Sequence, residues 1–372
     1  MRVLVAPNAF KGSLTVLAAA RAFSRGARSA QPRANVDLMP IADGGDGVMD
    51  CLLAAKGGRR VYATVRGPLG RPTRAPLALL SDGSACVELA RASGLALLAG
   101  APPRVMSATS YGTGELIAAA LSRGARRVIV GLGGSASSDG GAGLAQALGA
   151  RLLDEAGREL GPGAAQLSSL SYVDAEALRR RLAGVEILAV TDVDNPLLGP
   201  LGSARVYGPQ KGASPAQVAA LERALKRYAG ILRRDLGVSV AYSPGAGAAG
   251  GCGAGLLAFL RARVVRGAAF VLKACEAERR VARADLVLTG EGRLDRTSFY
   301  GKAPIELARL ARRLGTPVAM VCGSIEPSCR PRLARLGVRR AVALSEAGAT
   351  PEGSLRDAAR WAARAAALAC SG

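Results

Sequence analysis

Histidine is absent from all 372 residues. That rules out Ser-His-Asp and Cys-His catalysis and histidine ligation of metals, so a general base must be a carboxylate, a lysine, a tyrosine or water. Aromatic residues make up only 3% of the chain, too few for the stacking platforms of single-stranded nucleic-acid binders. The cysteines, at Cys51, Cys86, Cys252, Cys275, Cys322, Cys329 and Cys370, are odd in number and form no CxxC pair. Neither a disulfide framework nor a zinc site follows from them, and they read as small core residues. No uncharged run suits a membrane helix; residues 244–260 come nearest, but are glycine-rich and stop at Arg261. No charged leader with an apolar h-region precedes the first strand, so a cytoplasmic protein without membrane contact is expected.

Lysine is scarce as well: six of the 50 basic residues are lysines, leaving 44 arginines. Four of the six touch glycine, namely Lys11 in FKGS, Lys56 in AKGG, Lys211 in QKGA and Lys302 in YGKAP. Lys56 reads as a helix end with a glycine cap. The other three fall in strand-to-helix loops, where a compact point charge suits phosphate. The formal charge of +22 would suit a nucleic-acid backbone, but the arginines are scattered as singles and doublets with no basic tail. No nucleic-acid partner is expected.

What is present is a strand and helix alternation at both ends. Residues 1–6 (MRVLVA) read as a strand, 7–12 as a loop, and Ser13 as the N-cap of an alanine-rich helix. A second strand at 35–40 leads through the loop IADGGDG to a helix ending near Lys56. From 59 to 90 the texture becomes strands joined by tight turns, including GPLGRP and Asp82-Gly83. From 284 the first rhythm returns, with strands at 285–289, 317–322 and 339–343, each followed by a helix. Strands alternating with helices call for a parallel sheet covered on both faces. The expected fold is therefore α/β in two domains. One is flavodoxin-like, with a five-stranded parallel sheet built from both termini (residues 1–65 and 285–372); the other is an inserted mixed α/β domain (66–284). A 2-1-3-4-5 strand order makes the first and third strands neighbours at the switch point. The loop carrying Lys11 would then meet the loop carrying Glu291, Asp295 and Lys302.

Residues 187–213 (ILAVTDVDNPLLGPLGSARVYGPQKGA) run an apolar strand into two acids and then a lysine. If the chain stays extended, Asp192 and Asp194 leave the same face and together can hold Mg²⁺ against phosphate oxygens, with Lys211 supplying the opposite charge. This is equipment for phosphoryl transfer, where positioning and charge neutralisation do most of the catalysis. GLGGSA at 131–136 follows a strand and precedes a helix, so the amides of Gly133, Gly134 and Ser135 can cradle an anion. Asp139 in SSDGG, Asp43 and Asp46 in ADGGDG, and Glu291 and Asp295 in GEGRLD each place an acid beside glycine in a loop. One such acid reads as an Asx-turn; several, all at strand ends, read better as parts of a shared site. No P-loop GxxxxGK[ST] and no kinase HRDxxxxN occurs.

Taken in order, APNAFKGSL (6–14), PIADGGDG (40–47), TGELIAAAL (113–121), GLGGSASSDGGAG (131–143), TDVDNPLLG (191–199), YGPQKGA (207–213), PGAGAAGG (244–251), TGEGRLD and GKAP (289–304) resemble the bacterial glycerate kinases that make 2-phosphoglycerate. The words cover nearly the whole chain. Three depart from the usual pattern: Asn8-Ala9 for Asp-Ser, Ser137-Ser138 within ATND, and Arg296-Thr297 after Asp295. The resemblance implies Mg²⁺-dependent transfer of the ATP γ-phosphoryl group to D-glycerate, by two α/β domains closing on a cleft. The enzyme would be a monomer or homodimer. A kinase of another small hydroxy acid, or one forming 3-phosphoglycerate, is the alternative. On this reading Lys11 and Lys211 neutralise phosphate or carboxylate, and Asp192 and Asp194 hold the metal or orient the acceptor hydroxyl. Asp43, Glu291 and Asp295 are candidates for the base and for substrate hydroxyls, and Gly133, Gly134, Ser135, Asp139 and Lys302 for nucleotide binding.

Overall fold

The apolar runs near both termini form one sheet. In the computed structural model, which describes residues 1–99 and 104–371, five strands lie in the order Val338–Ala343, Val318–Ile325, Leu286–Leu294, Arg2–Pro7, Asn35–Leu38. Every neighbouring pair is parallel. Numbered within the sheet this is the 2-1-3-4-5 order. Val3, Leu4, Val5 and Ala6 are fully buried, as expected of a central strand covered on both faces. The helix Val16–Ala30 buries Val16, Ala19, Ala20, Phe23 and Ala27 and packs closely on the helix Ala358–Cys370. A Cβ on Gly26 would lie 2.1 Å from the Ala363 carbonyl, so only glycine allows that approach. The helix cap is Thr15, whose hydroxyl accepts from Ala18 N at 3.2 Å. Ser13 does not cap it, because Ser13 lies inside a turn closed by Phe10 N to Leu14 O at 2.9 Å.

The middle of the chain builds a mixed six-stranded sheet. Arg263–Val265, Glu186–Val190, Arg127–Gly131 and Ala85–Glu88 run parallel. Pro72–Leu80 and Gly58–Arg66 then extend it as antiparallel strands. A small antiparallel pair, Arg151–Leu153 with Tyr172–Asp174, stands apart. The long helix Pro215–Leu236 starts on a capping box made by Ser214 and Gln217 and stops at Gly237 in the left-handed region.

Chain contacts divide the protein into two compact units. The first comprises Met1–Asp43, Asp50–Gly57 and Gly267–Gly372; the second, Gly44–Met49 and Gly58–Arg266. The expected boundaries at 65 and 285 therefore shift. Residues 58–65 belong to the second sheet, where Gly58 to Arg66 pair with Leu80 to Pro72. Residues from Gly267 belong to the first unit, where Arg280 holds Asp37 through two hydrogen bonds. All seven cysteines are buried and none is bonded in a disulfide. Among the described residues no helix is long and apolar enough to cross a membrane.

Candidate active site

In the first unit the chemistry gathers at the carboxyl ends of the first and third strands. Asn8 N donates to Gly290 O at 2.8 Å, and Thr289 Oγ1 donates to Ala6 O at 2.6 Å. A Cβ on Gly292 would lie 3.1 Å from Phe10 Cα and 3.3 Å from Lys11 N. The Lys11 loop and the GEGRL segment thus meet backbone to backbone, as the strand order implies. Glu291 is not in a loop, however. The strand Leu286–Leu294 continues through it, with Glu291 paired to Cys322 and Arg293 to Ser324.

The acids of this unit have different duties. Asp43 accepts from Asn8 Nδ2 at 2.8 Å on one oxygen and from Ala303 N at 2.7 Å on the other. It thereby seats the helix Ala303–Arg313, where a carboxylate suits the N-terminus. Asp295 caps a short turn, accepting from Thr297 N and Thr297 Oγ1 at 2.9 and 2.5 Å. Those Thr297 hydrogen bonds are the main reason its carboxyl stays below the usual range. Glu291 is only 4% exposed. Its Oε2 takes Lys302 Nζ at 3.1 Å, while its Oε1 is buried with no hydrogen-bond partner. Burial pushes the Glu291 pKa up; Lys302 opposes the rise and the charge of nearby Asp43 adds to it. A carboxylate that is raised, pre-oriented by a lysine and unpaired on its second oxygen has the chemistry of a general base. Lys11 is exposed.

In the second unit the glycine loop leaves the strand Arg127–Gly131. Leu132 N is taken by Gly44 O and Val190 O, and Ala136 N by Ser93 O. Among the described residues the three amides between them, of Gly133, Gly134 and Ser135, have no acceptor. Gly134 sits at φ 61°, so the loop has the left-handed kink of an anion-binding nest. Lys211 does not face outward from a loop. It ends the 3-10 turn Pro209–Lys211, is 3% exposed, and donates to Ser135 Oγ at 2.7 Å and Ser137 O at 2.5 Å. A Cβ on Gly250 would lie 2.7 Å from Lys211 Nζ, so glycine there makes the lysine's room. Burial brings the Lys211 pKa down to about 8.

Asp139 is a structural knot and not a ligand reaching into a site. It is fully buried and accepts from Ser110 N, Ser110 Oγ, Thr109 Oγ1, Gly141 N and Gly143 N at 2.8 to 3.3 Å. Replacing it with alanine strands several buried donors and lowers unfolding free energy by about 3 kcal/mol or more. Urea denaturation checks this; an unchanged midpoint contradicts it.

Asp192 and Asp194 do not sit on an extended strand, because Glu186–Val190 ends before them and Asp192 lies in a bend. Asp194 is 62% exposed and bound to Arg266 Nη2 at 2.8 Å. Mg²⁺ typically takes one or two carboxylates plus phosphate oxygens. Asp192 is half-buried, two residues past the strand that borders Gly131; Asp194 is engaged by Arg266. One residue escaped the sequence reading: Glu88, a buried acid that closes the strand Ala85–Glu88 beside Gly131. The signal was an acid ending an otherwise apolar strand.

Comparison with known proteins bears on the chain as a whole. The profile of the glycerate kinase family matches residues 3–371. A glycerate kinase of Bacillus subtilis is 46% identical over 87% of this chain and 85% of its own. A glycerate 2-kinase of Escherichia coli is 43% identical over 87% and 86%. A crystal structure of a candidate glycerate kinase 2 from Salmonella typhimurium superposes with a TM-score of 0.84 at 40% identity, covering 100% of this chain and 97% of that one. The chain belongs to the glycerate kinase family and is a phosphotransferase with an alcohol group as acceptor.

Proposed function

We propose that this protein transfers the γ-phosphoryl group of ATP to the C2 hydroxyl of D-glycerate, giving 2-phosphoglycerate and ADP, with Mg²⁺. The observation that carries the reading is the run of three acceptorless amides at Gly133, Gly134 and Ser135, in a chain 43% identical to a glycerate 2-kinase. Backbone amides left without acceptors in a glycine-rich loop suit a phosphate chain and need no charged side chain. Lys211 acts from behind: it draws Ser135 and Ser137 inward and fixes the loop's shape. Glu291 takes the proton of the acceptor hydroxyl as the new O–P bond forms and the bond from the γ-phosphorus to the bridging oxygen breaks. Lys302 orients that carboxylate, and Asp43 holds the Lys302 end of the helix in place. Lys11 offers an exposed positive charge to a carboxylate or phosphate. Asp192 would hold Mg²⁺, which when bound neutralises charge on the phosphate oxygens.

An ADP-release assay over D-glycerate, L-glycerate, lactate and glycolate tests the reading. D-glycerate is expected to have the highest kcat/KM. Equal turnover of lactate or glycolate points to a broader hydroxy-acid kinase, and no acceptor-dependent ADP at all refutes the proposal.

A further inference from the structure

Glu88 sits where three segments of the second unit meet. Its backbone pairs with Gly131, and the residues after it grip the glycine loop. Leu89 N donates to Gly131 O at 3.0 Å, Leu95 N to Gly134 O at 2.8 Å, and Ala136 N to Ser93 O at 2.9 Å. Its side chain, 1% exposed, reaches the ADGGDG segment instead. Oε1 accepts from both Gly47 N at 2.8 Å and Met49 N at 2.9 Å. Oε2 accepts from Arg91 Nε at 2.9 Å. The held segment lies directly on the glycine loop: Leu132 N donates to Gly44 O at 3.1 Å, and a Cβ on Gly133 would stand 3.0 Å from Gly45 Cα.

A buried carboxylate is costly to desolvate, and burial is the main cause pushing the Glu88 pKa up, against the Met49 amide and Arg91. An apolar residue would fill the same space without that cost. It could not take two amide protons on one oxygen, and the Gly44–Met49 segment would then lose its anchor. We propose that Glu88 is a positioning residue for the phosphate-binding loop, clamping Gly44–Met49 against Gly131–Gly134 so that the amides of Gly133, Gly134 and Ser135 keep the place in which they can receive an anion. The proposal rests on the nucleotide reading of that loop.

The test compares Glu88→Ala with Glu88→Gln, whose amide oxygen can still accept from Gly47 and Met49. Calorimetric titration with ADP, without acceptor, should show Glu88→Ala weakening binding by about 10- to 100-fold, as misplacing a binding loop by an ångström does. Glu88→Gln should stay within about 3-fold of wild type. The KM for D-glycerate should hold while that for ATP rises. An ADP affinity unchanged in Glu88→Ala, with only the melting temperature lowered, overturns the proposal. So does a Glu88→Gln protein that folds normally yet binds ADP as weakly as Glu88→Ala. If Glu88→Ala does not fold, Gly45→Ala probes the same contact, its methyl falling 3.3 Å from Gly133 Cα; ADP binding unaltered there also overturns it. Wild-type protein that binds ADP but phosphorylates no hydroxy acid would refute the glycerate reading and leave this comparison intact.

Discussion

Glu291→Gln lowers kcat by about 100- to 10,000-fold, the range for loss of a general base, and leaves the melting temperature equal or higher. The two halves of that result share one cause. Glu291 has a buried Oε1 without a partner and a pKa raised above its ordinary 4.5, chiefly by burial. A carboxyl raised on folding stabilises the native state below its unfolded pKa, and that contribution is lost as pH rises through the folded value. Wherever the side chain is ionised its charge is therefore a burden on the fold, and glutamine removes it. The same shift fixes the pH dependence of the rate. The base must be ionised, so the acid limb of kcat/KM should lie above the ordinary glutamate value and disappear in the residual rate of Glu291→Gln. A variant with wild-type turnover ends the assignment. One that loses turnover only because it melts tens of degrees earlier turns Glu291 into a structural residue.

Lys211→Met should cut kcat/KM for ATP by about 100-fold, through a loop displaced by roughly an ångström. The lysine is the hub that Ser135 Oγ and the Ser137 carbonyl share. Methionine keeps the volume but releases both. A second signature separates this role from direct contact with phosphate. The Lys211 pKa is about 8 folded against 10.5 ordinarily, so its contribution to stability is fully present above 10.5 and lost as pH falls through about 8. Wild-type melting temperature should therefore gain on that of Lys211→Met as pH rises across that window. Parallel melting curves across those pH values, or ATP kinetics unchanged by the substitution, contradict a buried positioning lysine.

The five-stranded sheet was legible because helical and strand periods alternate cleanly at both ends of the chain. Neighbouring first and third strands then follow from handed crossover connections. That is why the meeting of the Lys11 and Glu291 segments could be read in advance. Other features were masked by local chemistry. Glycines at 290 and 292 look like punctuation, so GEGRL reads as a loop. The structure instead uses them for close backbone approach, a Cβ on Gly290 falling 1.7 Å from the Val321 carbonyl, and keeps Glu291 on the strand. A lysine between glutamine and glycine reads as exposed; only Gly250, distant in sequence, reveals the pocket that buries it. Asp192 and Asp194 share a face only if the strand runs on, and it stops at Val190. Glu88 stands in an ordinary-looking ACVE strand, and its partners lie 41 and 39 residues away, beyond any local pattern. The boundary expected at 65 lies too late, although the change of texture at 59 and the GPLGRP turn already mark the hairpin that carries Gly58–Arg66 into the second sheet.

Phosphorus NMR of the product made from ATP and D-glycerate tests the central claim most directly, because the coupling counts protons on the phosphorylated carbon. Transfer to C2 gives a phosphate split into a doublet by the single methine proton. A triplet from the two C3 protons, or no new phosphate ester at all, would contradict the account.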